Sequence, residues 1–141
     1  MIKNIGIVDF GAGNLFAIYN GCLKIGLNPS IINKENENFD KFDSIIIPGV
    51  GSFSSAMMKI TDLGYYDKII DFKKSGKLVL GICLGMQLLT TKSYEGKITN
   101  GFNFVDAEVT SIINDLKNFI PKNKIRAPLT GWNSVYFEKE K

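Results

Sequence analysis

Apolar residues fall into two patterns that alternate along this chain: short unbroken runs, and stripes at helical spacing. Ile5-Gly6-Ile7-Val8-Asp9-Phe10 is a β-rich run cut off by Gly11-Ala12-Gly13-Asn14. From Leu15 the apolar positions are Leu15, Ile18, Tyr19, Cys22 and Ile25, one face of a helix that Gly26 stops. Leu27 to Asn33 contains a second strand around Ser30-Ile31-Ile32, and the polar stretch Asn33 to Lys41 reads as a loop or a short exposed helix. Ser44-Ile45-Ile46-Ile47 is a third strand without alternation, as expected when both faces are covered. It runs into Pro48-Gly49-Val50-Gly51. Ser55 to Leu63 and Tyr66 to Lys74 read as helices, broken at Gly64 and closed by Gly76. A fourth strand, Lys77 to Leu80, then enters the turn Gly81-Ile82-Cys83-Leu84-Gly85, and a helix starts near Met86.

The order strand, helix, strand, helix, strand, helix predicts an α/β fold. It is a doubly wound, mostly parallel sheet with helices on both faces, whose ligands bind beyond the carboxyl ends of the strands. Three loops meet at that edge: Gly11 to Asn14, Pro48 to Phe53, and Gly81 to Gly85. After Thr91 the rhythm changes. Phe104 to Ile113 alternates loosely, Thr130 to Phe137 resembles another strand, and Asn114 to Phe119 is the one helix candidate between them. Antiparallel strands added to the edge of the sheet are the expectation. At 141 residues the chain is expected to be a single domain.

Composition narrows the chemistry. The net charge of +3 is spread without a basic cluster, so a nucleic-acid partner is not expected. No apolar run approaches the roughly 20 residues of a membrane helix, so no membrane partner is expected either. Two separated cysteines make no disulfide framework, and a reducing cytoplasm is the default. The chain contains no histidine. Imidazole can therefore serve neither as base nor as metal ligand, and no metal is expected. Gly11-Ala12-Gly13 begins like a dinucleotide fingerprint, but the third glycine would fall at Phe16, so Glu35 has little claim as a ribose ligand and no cofactor is expected.

Cys83 is the candidate for chemistry. Small residues two before and two after a nucleophile allow the tight strand-to-helix bend that lifts it clear of the backbone. The helix that follows aims its first N–H groups at the same spot, which favours a thiolate and an oxyanion. A structural cysteine between packing glycines fits the same pattern. Cys22, on the inward stripe of the first helix, reads as core. Pro48-Gly49-Val50-Gly51 reads either as a plain turn or as a strip of N–H groups facing Cys83, an oxyanion hole.

Gly81-Ile82-Cys83-Leu84-Gly85-Met86-Gln87, Pro48-Gly49-Val50-Gly51 and Asp9-Phe10-Gly11-Ala12-Gly13-Asn14-Leu15 together resemble the class I (triad) glutamine amidotransferases. Gly131-Trp132-Asn133 narrows the resemblance to the glutaminase subunits of imidazole glycerol phosphate synthase. The likeness runs from Ile5 to about Val135. It implies a flavodoxin-like fold in which Cys83 attacks the side-chain amide of glutamine, forms a glutamyl thioester and releases ammonia. It also implies that the N–H groups of Val50 and Leu84 hold the oxyanion, with Gly49 and Gly51 giving the strip freedom to reorient. Gln87 and Glu95 match positions that bind glutamine, and Asn14 and Trp132 match positions near the interface with a (β/α)8-barrel cyclase that receives the ammonia for histidine biosynthesis.

The resemblance also implies a histidine oriented by a glutamate, contributed by a segment later than residue 141. On that basis the sheet is expected to be incomplete at its C-terminal side, and the 141-residue chain inactive. Three readings remain open: an amidotransferase subunit lacking its later part, a protein using the same fold to bind a partner, and a flavodoxin-like hydrolase with an elbow cysteine. Pro128-Leu129-Thr130 departs from the family's usual run before Gly-Trp-Asn. A partner that modifies a sugar is therefore the alternative ammonia acceptor.

Overall fold

The computed structural model describes residues 3–33 and 37–116, together with residues 131, 132, 134 and 136. The chain divides into two compact units, Met1–Val109 and Thr110–Lys141. The first holds β1 (Asn4–Val8), α1 (Leu15–Lys24), β2 (Asn28–Ile32), β3 (Ser44–Ile47), α2 (Phe53–Asp62), α3 (Tyr65–Lys74), β4 (Leu78–Gly81), α4 (Leu84–Leu88), β5 (Thr90–Ser93), β6 (Thr99–Asn100) and β7 (Val105–Val109). In the second, α5 covers Ile112–Leu116. The helix expected at Asn114 to Phe119 thus begins earlier, and of the strand expected at Thr130 to Phe137 only residues 131, 132, 134 and 136 are described, none of them in a strand.

β1 to β4 form one parallel sheet in the order β2-β1-β3-β4. The unbroken apolar run of β3 is sorted by the pleat. Ile45 and Ile47 enter the larger core with Val8, Ile32 and residues of α2, α3 and α4, while Ile46 joins Ile5 and Cys22 of α1 in a smaller one. Successive residues of a strand point to opposite faces, so these two clusters are the two covered sides of the sheet. Cover is uneven at β4. Val79 packs against the larger core, but Leu78 and Leu80 on the other face are 71% and 55% exposed.

Two stretches differ from expectation. The polar segment before β3 is not simply exposed: Phe39 is buried on a single 3-10 turn at Phe39–Lys41, Phe42 is buried just after it, and the Asn38 side chain caps the turn by accepting from the Asp40 N–H at 2.8 Å. Phe39 packs obliquely against Tyr65 and edge-on to Phe72 of α3, which draws the turn into the core despite its charged neighbours. The strands after α4 pair with one another, not with the edge of the parallel sheet. They form a three-stranded sheet, β6-β5-β7, antiparallel between β5 and β6 and parallel between β5 and β7. The reason lies in the brevity of α4. It ends where the Thr90 hydroxyl donates to the Gln87 carbonyl at 2.8 Å, and the chain turns into β5 at once. The Phe102 and Phe104 N–H groups then donate to the Leu88 and Leu89 carbonyls, both at 2.8 Å, and seat Phe102 in the core against Tyr66.

Gly21 sits in the interior of α1, and a methyl group there would meet nothing within 4 Å. Gly21→Ala should raise stability by about 0.5–1 kcal/mol, since only backbone entropy changes. A higher denaturation midpoint with an unaltered slope in urea is the expected result.

Candidate functional site

The bend between β4 and α4 is built by two glycines and one close crossing. A Cβ on Gly85 would stand 1.7 Å from the Ile47 carbonyl oxygen, and one on Gly81 would stand 2.5 Å from the Met86 nitrogen. Only glycine lets these backbones approach. The Ile82 N–H donates to the same Ile47 carbonyl at 3.0 Å, fixing the turn to the end of β3. Between the glycines Cys83 takes φ 56° and ψ −116°, a conformation that a residue with a side chain rarely adopts. Such strain costs about 1–3 kcal/mol and persists only where the surroundings impose it. The result is an exposed cysteine at the start of α4, whose Leu84 and Leu88 are buried beneath it. The helix begins at Leu84, not near Met86.

The other two loops close on this bend. Gly49 is buried with its Cα against Leu84 and Gly85: a Cβ there would lie 3.1 Å from the Leu84 Cβ and 3.3 Å from the Gly85 nitrogen. Gly13, at φ 104°, reaches Pro48 and Gly49 in the same way, at 3.2 and 3.3 Å. Val50 and Gly51 are exposed, and Gly51 takes φ 106° with open space around it. The N–H groups of Val50 and Leu84 donate to no acceptor among the described residues. A cavity of about 260 Å³ lies between the first loop and this strip, lined by Gly11, Gly13, Val50, Gly51, Ser52 and Lys59. Cys83 does not line it.

Gln87 is half-buried on α4, four residues beyond the cysteine. Glu95 follows β5, and its Oε2 accepts from the Phe53 N–H at 2.8 Å, at the start of the helix that the Gly49 strip leads into. Asn14 caps α1, its Oδ1 accepting from the Ala17 N–H at 3.1 Å. Trp132 is fully exposed in the second unit. Sequence reasoning missed two features: the direct contact of Gly13 with the strip, signalled only by a glycine in the first loop, and the Glu95 cap on α2, for which no local signal exists. Cys22 is buried, and burial raises its thiol pKa above the ordinary value. Among the described residues no group of His, Cys, Asp and Glu could hold a metal ion, and no helix is long and apolar enough to cross a membrane.

The model of the family "Glutamine amidotransferase class-I" matches residues 6–135. The chain belongs to this family. Among curated proteins, the chain is 37% identical to the imidazole glycerol phosphate synthase subunit HisH of Wolinella succinogenes over 96% of its own length and 64% of that protein's. It is 36% identical to the HisH subunit of Methanosarcina acetivorans, over 99% of its length and 63% of the relative's, and equally to that of Bacillus subtilis, over 96% and 62%. The chain therefore spans a little under two thirds of these relatives. A solved structure titled as a glutamine amidotransferase superposes with TM-score 0.63 at 17% identity, covering 74% of this chain and 54% of that one. A putative peptidase E protein from Listeria monocytogenes does so with TM-score 0.58 at 19% identity, covering 74% and 63%. These two likenesses concern the fold, and both agree with a doubly wound α/β sheet.

A side chain at Gly85 would require the whole β3–α4 crossing to open. Gly85→Ala should lower stability by about 3 kcal/mol or more, comparable to other changes that displace backbone. Thermal unfolding beside the Gly21→Ala variant would separate a local clash from a general intolerance of alanine.

Proposed function

We propose that the chain carries the nucleophile half of the glutaminase subunit of imidazole glycerol phosphate synthase. The observation that carries this reading is the strained, exposed Cys83 at the start of α4, with the Gly49 strip packed against the residue that follows it. In this reading the Cys83 thiolate attacks the side-chain carbonyl carbon of glutamine. The carbonyl oxygen becomes an oxyanion, held by the N–H groups of Val50 and Leu84. The C–N bond then breaks, ammonia leaves with one added proton, and a glutamyl thioester remains for water to hydrolyse to glutamate.

Gly49 and Gly51 shape the strip around the substrate, while Gln87 and Glu95 bind the amino-acid end of glutamine. The ammonia passes to a (β/α)8-barrel cyclase partner in the cytoplasm, with Asn14 and Trp132 near the shared surface. The HisH relatives support this choice of subunit, since each is named for the synthase. The family match runs across both compact units, so we place residues 1–141 in one amidotransferase domain.

An electrophilic analogue of glutamine should attach to Cys83 and not to Cys22, with excess L-glutamine slowing the reaction. Exposure favours Cys83, whereas Cys22 is buried away from reagents and burial pushes its thiol pKa up, away from the reactive thiolate. An adduct mapped by mass spectrometry to Cys22, or one indifferent to glutamine, would reject the assignment.

Attack by the thiolate is only half of the reaction, because the departing nitrogen must be protonated. No histidine is present to do so. The 141-residue polypeptide should therefore release glutamate at least ~100-fold more slowly than a glutaminase with a general acid, the lower end of what such a group contributes. Family-like turnover in a steady-state glutamate assay would show that imidazole is dispensable.

A further inference from the structure

Glu95 makes a bond that the binding of glutamine does not explain. Its Oε2 accepts from the Phe53 N–H at 2.8 Å, across 42 residues of sequence. Phe53 is the first residue of α2 and directly follows the Gly49–Ser52 strip. The usual local cap is missing there, because the Ser52 side chain makes no cap bond and its hydroxyl donates instead to that of Ser55 at 2.8 Å. Glu95 is itself held in place. Ser93 is completely buried, and its hydroxyl oxygen accepts from the Glu95 N–H at 3.1 Å. An ionised carboxylate on the first N–H of a helix is favoured both by the unpaired donor and by the helix dipole.

We propose that Glu95 is a positioning residue for the Gly49–Ser52 strip. The strip is fixed at its start by buried Pro48 and Gly49 and at its end by the buried Phe53 ring and the Glu95 carboxylate, while Val50 and Gly51 between them are exposed. The catalytic meaning of this role rests on the glutaminase reading, in which the strip forms the oxyanion hole. The other carboxylate oxygen, Oε1, has no hydrogen bond among the described residues and is open to an ammonium group. One side chain thus joins the amino-acid end of the substrate to the strip that stabilises its reacting end.

Amide hydrogen exchange on the full 141-residue chain without glutamine tests the role directly. In Glu95→Ala the Phe53 amide should exchange roughly tenfold faster, the loss expected for a hydrogen bond to a charged acceptor. The Gly51 and Ser52 amides should follow, with those of β1 and β3 unchanged. Glu95→Gln keeps an acceptor oxygen without the charge, so its rate should fall between wild type and alanine. A wild-type rate at Phe53 in Glu95→Ala, or a glutamine variant as fast as alanine, would overturn the proposal. Should the alanine variant fail to fold, the glutamine variant decides: faster exchange confined to residues 51–53 supports the role, and a wild-type rate ends it. Labelling of Cys83 by the glutamine analogue is read separately, on the unsubstituted chain. Normal labelling with unchanged exchange removes only the role of Glu95, whereas altered exchange without labelling keeps that role and removes the glutaminase reading.

Discussion

The Ile47 carbonyl oxygen and the Gly85 Cα occupy neighbouring positions with no room for a methyl group between them, and the site depends on that crossing. It joins the end of β3 to the start of α4, so the bend that carries Cys83 cannot move independently of the strip that continues from β3. The Ile82 N–H closes the same contact from the other side of the cysteine. Gly49 against Leu84, and Gly13 against Pro48, then extend it to the first loop. Each contact is backbone on backbone or on a Cβ. That makes the arrangement stiff without a network of long polar side chains, and stiffness is what a strained residue such as Cys83 requires.

The sheet around this crossing is covered unevenly. On the face of α2, α3 and α4, the strands contribute Val8, Ile45 and Ile47 to a continuous core that also takes in Phe10, Phe53 and Leu88. On the opposite face the smaller cluster around Cys22 covers β1 and β3 but leaves Leu78 and Leu80 exposed. The face with the larger core is the one that supports the elbow, through buried Leu84 and Leu88. The two cysteines show the consequence: Cys22, in the minor core, is a packed thiol whose ionisation is opposed by burial, while Cys83 is lifted out of the major core by two glycines.

Most of the parallel sheet was legible because hydrophobic period and glycine punctuation agree there. β1, α1, β2, β3, α2, α3 and β4 all lie within about two residues of the runs that predict them. The bend at Cys83 left a local mark in Gly81 and Gly85, although those two glycines fit a packed structural cysteine equally well and only the other loops and the family resemblance favoured an elbow. Burial of Phe39 and Phe42 was not legible, because their charged and amide neighbours carry a surface signature, while the Phe39 ring is claimed by distant Tyr65 and Phe72 and the Phe42 ring lies over Gly6 of β1. The separate β6-β5-β7 sheet also escaped, since the period of a strand does not name its partner. Asn14 illustrates a different limit. The resemblance offers it as a position near a partner, whereas the structure shows its side chain capping α1, a demand that the sequence pattern alone did not separate from the other.

Within the proposed mechanism, the fixed and adjustable parts of the site are separable. Cys83 is set by its own backbone conformation between the close-packed Gly81 and Gly85. The Val50–Gly51 pair is different: it is exposed, has open space at Gly51, and is anchored only at its flanks. An oxyanion hole is useful only when its donors already point to where the charge develops, because reorganising them during the reaction would consume the stabilisation they provide. A strip of this kind must therefore be oriented before the carbon–nitrogen bond breaks. The groups best placed to do so are those at its ends, Gly13 and Leu84 against Pro48 and Gly49, and Glu95 at Phe53. On this view control of the reaction lies in the strip and its anchors, while the nucleophile stays still.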